Sequence, residues 1–390
     1  MKIFHTADWH LGKLVQGVYM TEDQEYVLEH FIHDIEQDRP DVVIVAGDLY
    51  DRAVPPTEAV QLLDRILVKL VMEMGIPVVA VAGNHDSPSR LEFGSSLMRA
   101  AGLHIAGEMN DPCETVVLSD EHGEVHFHLV PYAEPGKVRH VLQDEEIRTH
   151  DDAMRKITEQ IRSSMNPQAR HVLVGHAFVT PTGEPERNTS DSERPLSIGG
   201  AEHVSAKHFT GFHYTALGHL HQAHHVANET IRYAGSPLKY SISEENHRKG
   251  YLVVELDAEG KATVEKRELK PRRDMRRVEG YIADIERQEI NEDYVFVRLL
   301  DEAAVLSPME RIRTVYPNAM HVERKLSVIE NHGEEKTNES RAKMDDLSLF
   351  RAFYKEVRGK DLSEDTEQLF MKVLHDINAK EGERLETAKA

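Results

Sequence analysis

VAGNHDSPSR, residues 81–90, places Asn84, His85 and Asp86 side by side directly after an apolar run. A strand that merely stops in a turn needs only Gly83 and Asn84. A histidine and an aspartate beside them call for a partner elsewhere in the chain. Reading outward, the same arrangement recurs. KIFHTAD (2–8) leads to Asp8, Trp9 and His10. DVVIVAGD (41–48) leads to Asp48, Asp51 and Arg52, RHVLVGH (170–176) ends on His176, and HYTALGH (213–219) delivers His219 and His221. These β-branched runs predict buried strands. Ends of neighbouring parallel strands converge on one crevice, so the scattered residues predict a single site.

The donor types define the chemistry. Carboxylates, imidazoles and the Asn84 carboxamide gather without any thiolate, which suits six-coordinate ions such as manganese(II) better than closed tetrahedral zinc. The set suffices for two ions sharing Asp48. Two ions roughly 3.5–4 Å apart can hold a bridging hydroxide for in-line attack on phosphorus, so no Ser or Cys nucleophile is needed. The flanking glycines let the backbone turn sharply and bring ligands close.

Length and composition set bounds. The 390 residues suggest two or three domains, and 40% hydrophobic residues supply a core. No apolar run is long enough for a bilayer, no signal peptide is visible and there is one cysteine, so a cytoplasmic protein is expected. A net charge of −21 argues against holding nucleic acid by bulk electrostatics, although bound cations can supply positive charge locally. Helices are expected over 21–37, with Thr21 and Gln24 at capping-box spacing, and over 57–73, 89–100 and 152–165. The pattern predicts an α/β protein with two sheets flanked by helices, the main domain covering 1–268.

Beyond it, KRELKPRRDMRR (266–277) holds seven basic residues in twelve, readable as a solvated linker or as a phosphate contact. A small α+β unit follows at 276–327, with a helix starting at Ser307-Pro308. Residues 328–344 read as a polar linker, and 345–390 as two amphipathic helices, Ser363 capping the second.

In order, D-x-H, G-D-x-x-D-R, G-N-H-D, H and G-H-x-H resemble the motifs of the calcineurin-like metallophosphoesterases. TADWHLGK at the start and RYAGSPLKYSISEENHRKGYLVVEL (232–256) are similar to the branch whose members are nuclease subunits of DNA-repair complexes. The resemblance implies a two-sheet α/β/β/α sandwich with a capping domain and a helical tail. It implies one metal on Asp8, His10, Asp48 and His221, and a second on Asp48, Asn84, His176 and His219. His85 would then contact the scissile phosphate and protonate the leaving oxygen, with the Asp51 carboxylate orienting it. Arg52 corresponds to a phosphate-binding arginine of related phosphatases. The implied activity is manganese-dependent (magnesium being the other option), with 3′-to-5′ exonuclease action on duplex DNA, endonuclease action on single strands and hairpin opening.

No GxxxxGK[ST] is present, so any ATP dependence must come from another polypeptide. The resemblance supplies a coiled-coil ATPase held by 345–390, and a homodimer paired through the helices near 57–73 and 89–100. Two other readings compete. One is a phosphatase or cyclic-nucleotide phosphodiesterase of the same superfamily, which Arg52 suits. The other is a non-enzymatic scaffold for the ATPase, resting on the tail alone.

Overall fold

The computed structural model describes residues 1–183, 190–193, 203–324 and 346–374. The linker expected at 328–344 and the tail beyond 374 lie outside the described residues. The chain divides into two compact units. The first comprises Met1–Arg277 with Glu292–Phe296, and the second Val278–Asn291 with Val297–Ala390.

The first unit is built on twelve principal strands: β1 (Lys2–Thr6), β2 (Val42–Ala46), β3 (Val78–Val81), β4 (Leu103–Ala106), β5 (Thr115–Asp120), β6 (Gly123–Val130), β7 (Arg170–His176), β8 (Tyr214–Gly218), β9 (His224–Val226), β10 (Asn228–Tyr233), β11 (Gly250–Leu256) and β12 (Ala262–Glu268). One six-stranded sheet has the order β12-β11-β1-β2-β3-β4, and the other β9-β10-β8-β7-β6-β5. β1 to β4 run parallel, as do β6, β7, β8 and β10, while the outer strands pair antiparallel.

Side-chain alternation explains the layering. In β2, Val42, Ile44 and Ala46 point between the sheets, where they meet Phe127, Val172, Val174 and Tyr214. Val43 and Val45 point outward, beneath α1 (Thr21–Asp38) and α2 (Thr57–Val68). Helices α3 (Pro135–Leu142) and α4 (His150–Ser164) cover the outer face of the second sheet, with Val138, Ile157 and Ile161 packed on Leu173 and Leu217. Strands buried on both faces read as continuous apolar runs, which makes them legible in the sequence. The order of layers is α/β/β/α.

The helix starts differ in detail. Thr21 and Gln24 form no capping box. The N-cap of α1 is Met20, without a side-chain cap, because Gln24 is drawn inward to the site. The capping box that does form is Thr149 with Asp152, opening α4 two residues before the expected start. The helix expected at 89–100 breaks into Pro88–Glu92, Ser95–Met98 and Arg99–Ala101, interrupted by Gly94 at φ 75°. The basic run is largely engaged in ion pairs: Arg273 with Asp23 at 3.1 Å, Arg276 with Asp293 at 2.7 Å, Arg277 with Glu245 at 3.0 Å, and Arg267 with Asp38. No described helix is long and apolar enough to cross a membrane.

In the smaller region that follows, β13 (Met275–Gly280), β14 (Tyr294–Leu299) and β15 (His321–Arg324) form a sheet in that order, and α5 (Pro308–Arg313) starts where Ser307-Pro308 predicted. Helix α6 (Asp346–Arg358) and helical residues 364–374 face each other, with Phe350 stacked on Phe370 at 3.9 Å between ring centroids. The Ser363 hydroxyl accepts from the Thr366 N–H, as a cap does.

Two histidines outside the site make the fold acid-sensitive. His5, wholly buried between the sheets against the Tyr214 hydroxyl at 2.9 Å, is pushed down to about 3 by burial. His128 is lowered to about 3 by burial and by its neighbours His171 and His126. Both are neutral when folded but protonate near 6.5 when unfolded, so the stability they allow is full above that pH and drains away as pH falls toward 3. Each is expected to cost about 2 kcal/mol between pH 7 and pH 5. Urea unfolding of chelator-treated protein checks this. His128→Gln should flatten the decline, and an unchanged slope would contradict it.

Candidate metal centre

The loops that leave β1 and β2 are zipped together by main-chain bonds. Asp8 N–H donates to Gly47 O at 3.0 Å, His10 N–H to Asp48 O at 2.9 Å and Leu11 N–H to Leu49 O at 2.9 Å. Asp8, His10, Asp48 and His219 all sit at positive φ (54°, 46°, 51° and 110°), a region non-glycine residues rarely adopt. Such strain persists only where the surroundings enforce it, and it gathers at functional sites. Glycines make room. A Cβ on Gly83 would lie 2.1 Å from Asp48 Oδ1, and one on Gly47 would lie 2.2 Å from His176 Nδ1.

Two fully buried groups of donors result. Ligand atoms of Asp8, His10 and His221 lie within 4.8 Å of one another, as do those of Asp8, Asp48 and His176; a third, partly exposed group joins His10, Asp51 and His85. Asp48 Oδ2 stands between the two buried groups, 3.6 Å from His10 Nε2 and 3.5 Å from His176 Nε2. Asn84 Oδ1 is 2.9 Å from His176 Nε2. His219 falls in none of the three. Its ring packs edge-on to His176 at 5.4 Å, and its N–H donates to Asp8 Oδ1 at 2.9 Å.

Proton bookkeeping tests whether a cation fits. His176 Nδ1 lies 3.0 Å from Ala46 O, which only accepts, so the proton is on Nδ1 and Nε2 is bare. That bare nitrogen then faces Asn84 Oδ1 and Asp48 Oδ2, three acceptors with no hydrogen between them. His221 Nδ1 lies 3.0 Å from Glu244 Oε1, so its Nε2 is bare too, 3.1 Å from His10 Nε2. Asp8 Oδ2 is buried with no partner. Burial, then the Asp48 charge, pushes the Asp8 carboxyl well above its ordinary value, and burial raises Asp48. Burial also holds His10, His219 and His221 below the usual imidazole range and His176 at about 4. Neutral imidazoles and crowded carboxylates are what divalent ions require and relieve.

His85 is half-buried and edge-on to His10 at 4.6 Å between centroids. Its Nδ1 donates to the Asp51 main-chain O at 2.8 Å, which leaves Nε2 to exchange a proton. The expected pairing of His85 with the Asp51 carboxylate is therefore corrected. That carboxylate is taken by Lys13 Nζ at 2.8 Å, and it is the Asp51 carbonyl that orients the ring. Arg52 is exposed, without an ion-pair partner among the described residues.

Several supporting residues lie beyond the expected set. Gln24 accepts from Gly12 N–H at 3.1 Å and donates to Trp9 O and His10 O at 3.0 and 2.8 Å, pinning the first loop. The Asp86 carboxylate accepts from Gly83, Leu49 and Tyr50 N–H at 2.9, 3.1 and 2.9 Å, tying the second loop to the third. Glu244 and Lys249, joined at 2.6 Å, lie beneath His221.

A two-sheet sandwich with such donors at its strand ends defines a class. Residues 1–223 match the calcineurin-like phosphoesterases, and the chain belongs to that family, whose members use a dinuclear metal site. Residues 271–358 match the type 5 capsule protein repressor C-terminal domain. The chain is 34% identical over 368 residues to the SbcD subunit of the SbcCD nuclease of Staphylococcus epidermidis, covering 93% of this chain and 95% of that one. Within the family it falls in the SbcD branch. Among solved structures, a Danio rerio dimetal phosphatase is 14% identical, with a TM-score of 0.42 over 69% of this chain and 96% of its own. The Thermus thermophilus protein TT1561 is 13% identical, with a TM-score of 0.37 over 68% and 98%.

Proposed function

We propose that the chain is the nuclease subunit of an SbcCD-type complex, hydrolysing DNA phosphodiesters with two divalent ions, manganese(II) by donor preference. The carrying observation is the convergence of bare His176 Nε2, Asn84 Oδ1 and Asp48 Oδ2 without a donor between them. One ion is assigned to Asp8, His10, Asp48 and His221, the other to Asp48, Asn84, His176 and His219. Bound there, the ions supply the Lewis acidity and the activated water of phosphoester hydrolysis. The chain's own part is to position. Asp51 O keeps a proton on His85 Nδ1, so Nε2 is the position that takes up a second proton, and the resulting imidazolium would pass that Nε2 proton to the leaving oxygen. Lys13 pairs with the Asp51 carboxylate, which lies near the His10 and His85 rings without replacing the main-chain bond to His85.

DNA as substrate, with double-strand exonuclease, single-strand endonuclease and hairpin activities, follows from the SbcD kinship. The phosphatase or cyclic-nucleotide reading is suited by Arg52, which is exposed beside Asp51, and the relative turnover of DNA and a phosphomonoester separates the two readings. Purified chain with manganese should cut end-labelled hairpin DNA and turn over a simple phosphomonoester slowly. Inert DNA with fast monoester turnover would overturn the proposal.

Partners follow the same kinship. Residues 276–327 act as a DNA-access domain. The face of 57–73 and 88–101 that exposes Met72, Phe93 and Leu97 pairs two copies. On the helical pair of the tail, Phe370 is occupied by Phe350, leaving Leu349, Phe353, Leu369 and Val373 exposed to receive an SbcC-type ATPase. Phe353→Asp with Leu369→Asp should abolish co-purification with that ATPase and leave basal hairpin cleavage intact. Retained co-purification would refute the docking face.

A further inference from the structure

We propose that Glu244 is a positioning residue that fixes the protonation and aim of His221 and so sets the affinity of one metal of the pair. The inference rests on the two-ion reading above and extends it to a residue that touches neither ion.

Glu244 closes a short 3-10 turn, Ile242–Glu244, and its side chain is completely buried. Every neighbour of its carboxylate is a donor. Oε1 receives His221 Nδ1–H at 3.0 Å, the Ser190 hydroxyl at 3.0 Å and the Ser192 hydroxyl. Oε2 receives Lys249 Nζ at 2.6 Å and Tyr240 N–H at 3.2 Å. A carboxylate cannot donate, so the proton of His221 stays on Nδ1 and the Nε2 lone pair stays in the donor group.

The backbone of His221 is gripped as well. Its N–H donates to Glu193 Oε1 at 2.7 Å, and its carbonyl accepts from Lys249 Nζ at 2.8 Å. Lys249 therefore binds the residue that orients the ring and the main chain that carries it, with a further bond to Ser236 Oγ at 2.8 Å. The other histidine ligand whose tautomer is fixed, His176, leans on a main-chain carbonyl that no substitution removes. The tautomer of His221 is set by side chains, Glu244 together with the Ser192 hydroxyl at 2.8 Å from Nδ1, whereas His10 Nδ1 lies 3.6 Å from Asp51 Oδ1, beyond hydrogen-bond distance. The two metals should accordingly respond differently to one mutation.

Glu244→Gln keeps the shape but introduces an amide NH2. It must face either Lys249 and Tyr240 N–H or His221 Nδ1–H, donor against donor, and the second conflict is relieved only by moving the proton to Nε2. Manganese titration by calorimetry and by electron paramagnetic resonance, with DNA cleavage measured alongside, tests this. Wild type should bind two ions and cleave. Glu244→Gln should lose affinity for one ion by roughly 10–100-fold while the other is held as in wild type, and the spin-coupled signal should fade. Because the substitution strands the Lys249 charge, the paired variant Glu244→Leu with Lys249→Met is measured too; it leaves no carboxylate to accept from His221 Nδ1–H and should show the same one-sided loss. Two ions bound at wild-type affinity in either folded variant, or equal weakening of both ions, would overturn the role of Glu244. Wild type that binds no manganese would instead overturn the metal reading beneath it.

Discussion

Replacing Asp48 with asparagine is expected to end catalysis and disturb both metal positions together. Asp48 Oδ2 lies 3.6 Å from His10 Nε2 and 3.5 Å from His176 Nε2, which places a single oxygen between the two groups. Its other oxygen accepts from His85 N–H at 2.9 Å, a bond the asparagine carbonyl keeps. The fold and the loop of His85 therefore survive, while an NH2 replaces the one anionic oxygen common to both ions. Without either ion in place the chemistry should fall toward the unassisted rate, a loss on the order of 10⁶-fold, the lower end of enzymatic acceleration. Hairpin cleavage at saturating manganese, with metal stoichiometry measured on the same sample, checks both halves. A variant that cleaves within tenfold of wild type would show that Asp48 does not bridge.

The second large effect separates proton transfer from metal binding. His85→Gln should lower the cleavage rate roughly 10²–10⁴-fold, the usual worth of a positioned acid, and leave two ions bound. Glutamine can still donate to the Asp51 carbonyl that receives His85 Nδ1–H at 2.8 Å, so the local structure has no reason to change. The diagnostic comparison uses a nitrophenyl ester of a nucleotide, whose leaving group needs no proton. There the deficit should shrink to less than about tenfold, since the acid's share of the barrier is no longer required. An equal deficit on both substrates would assign His85 to phosphate binding alone.

Asp48 and His85 are legible in the amino-acid sequence because each closely follows a buried apolar strand. The parallel strands β1, β2, β3, β7 and β8 are buried almost end to end, and the residues at their ends are polar in a way no plain turn needs. That local grammar exposes Asp8, His10, Asp48, Asn84, His85, His176, His219 and His221. It cannot rank them. His219 and His221 look equivalent in GHLH, yet only His221 sends a ring nitrogen into a donor group, and the ring of His219 lies beside His176.

What escapes are long-range bonds to residues whose local setting suggests something ordinary. Gln24 sits at capping-box spacing, and its hydrogen bond to the Tyr240 hydroxyl spans 216 residues, a pairing no local pattern encodes. Glu244 and Glu245 are adjacent and identical in kind. One is wholly buried under His221, and the other pairs with Arg277 at the surface. A lysine five residues after Glu244, where the chain turns into strand β11, is the one local hint that a carboxylate there needs a buried partner. Asp51 misleads for a related reason. Its spacing from Asp48 invites a carboxylate–imidazole pair, but Lys13 captures the side chain and leaves the main chain to do the orienting.

Crystals soaked to saturation with manganese and measured across its absorption edge test the central claim directly. Two anomalous peaks are predicted, one against Asp8, His10 and His221 and the other against Asn84, His176 and His219, with Asp48 touching both. A single peak, or none, at full saturation would contradict it.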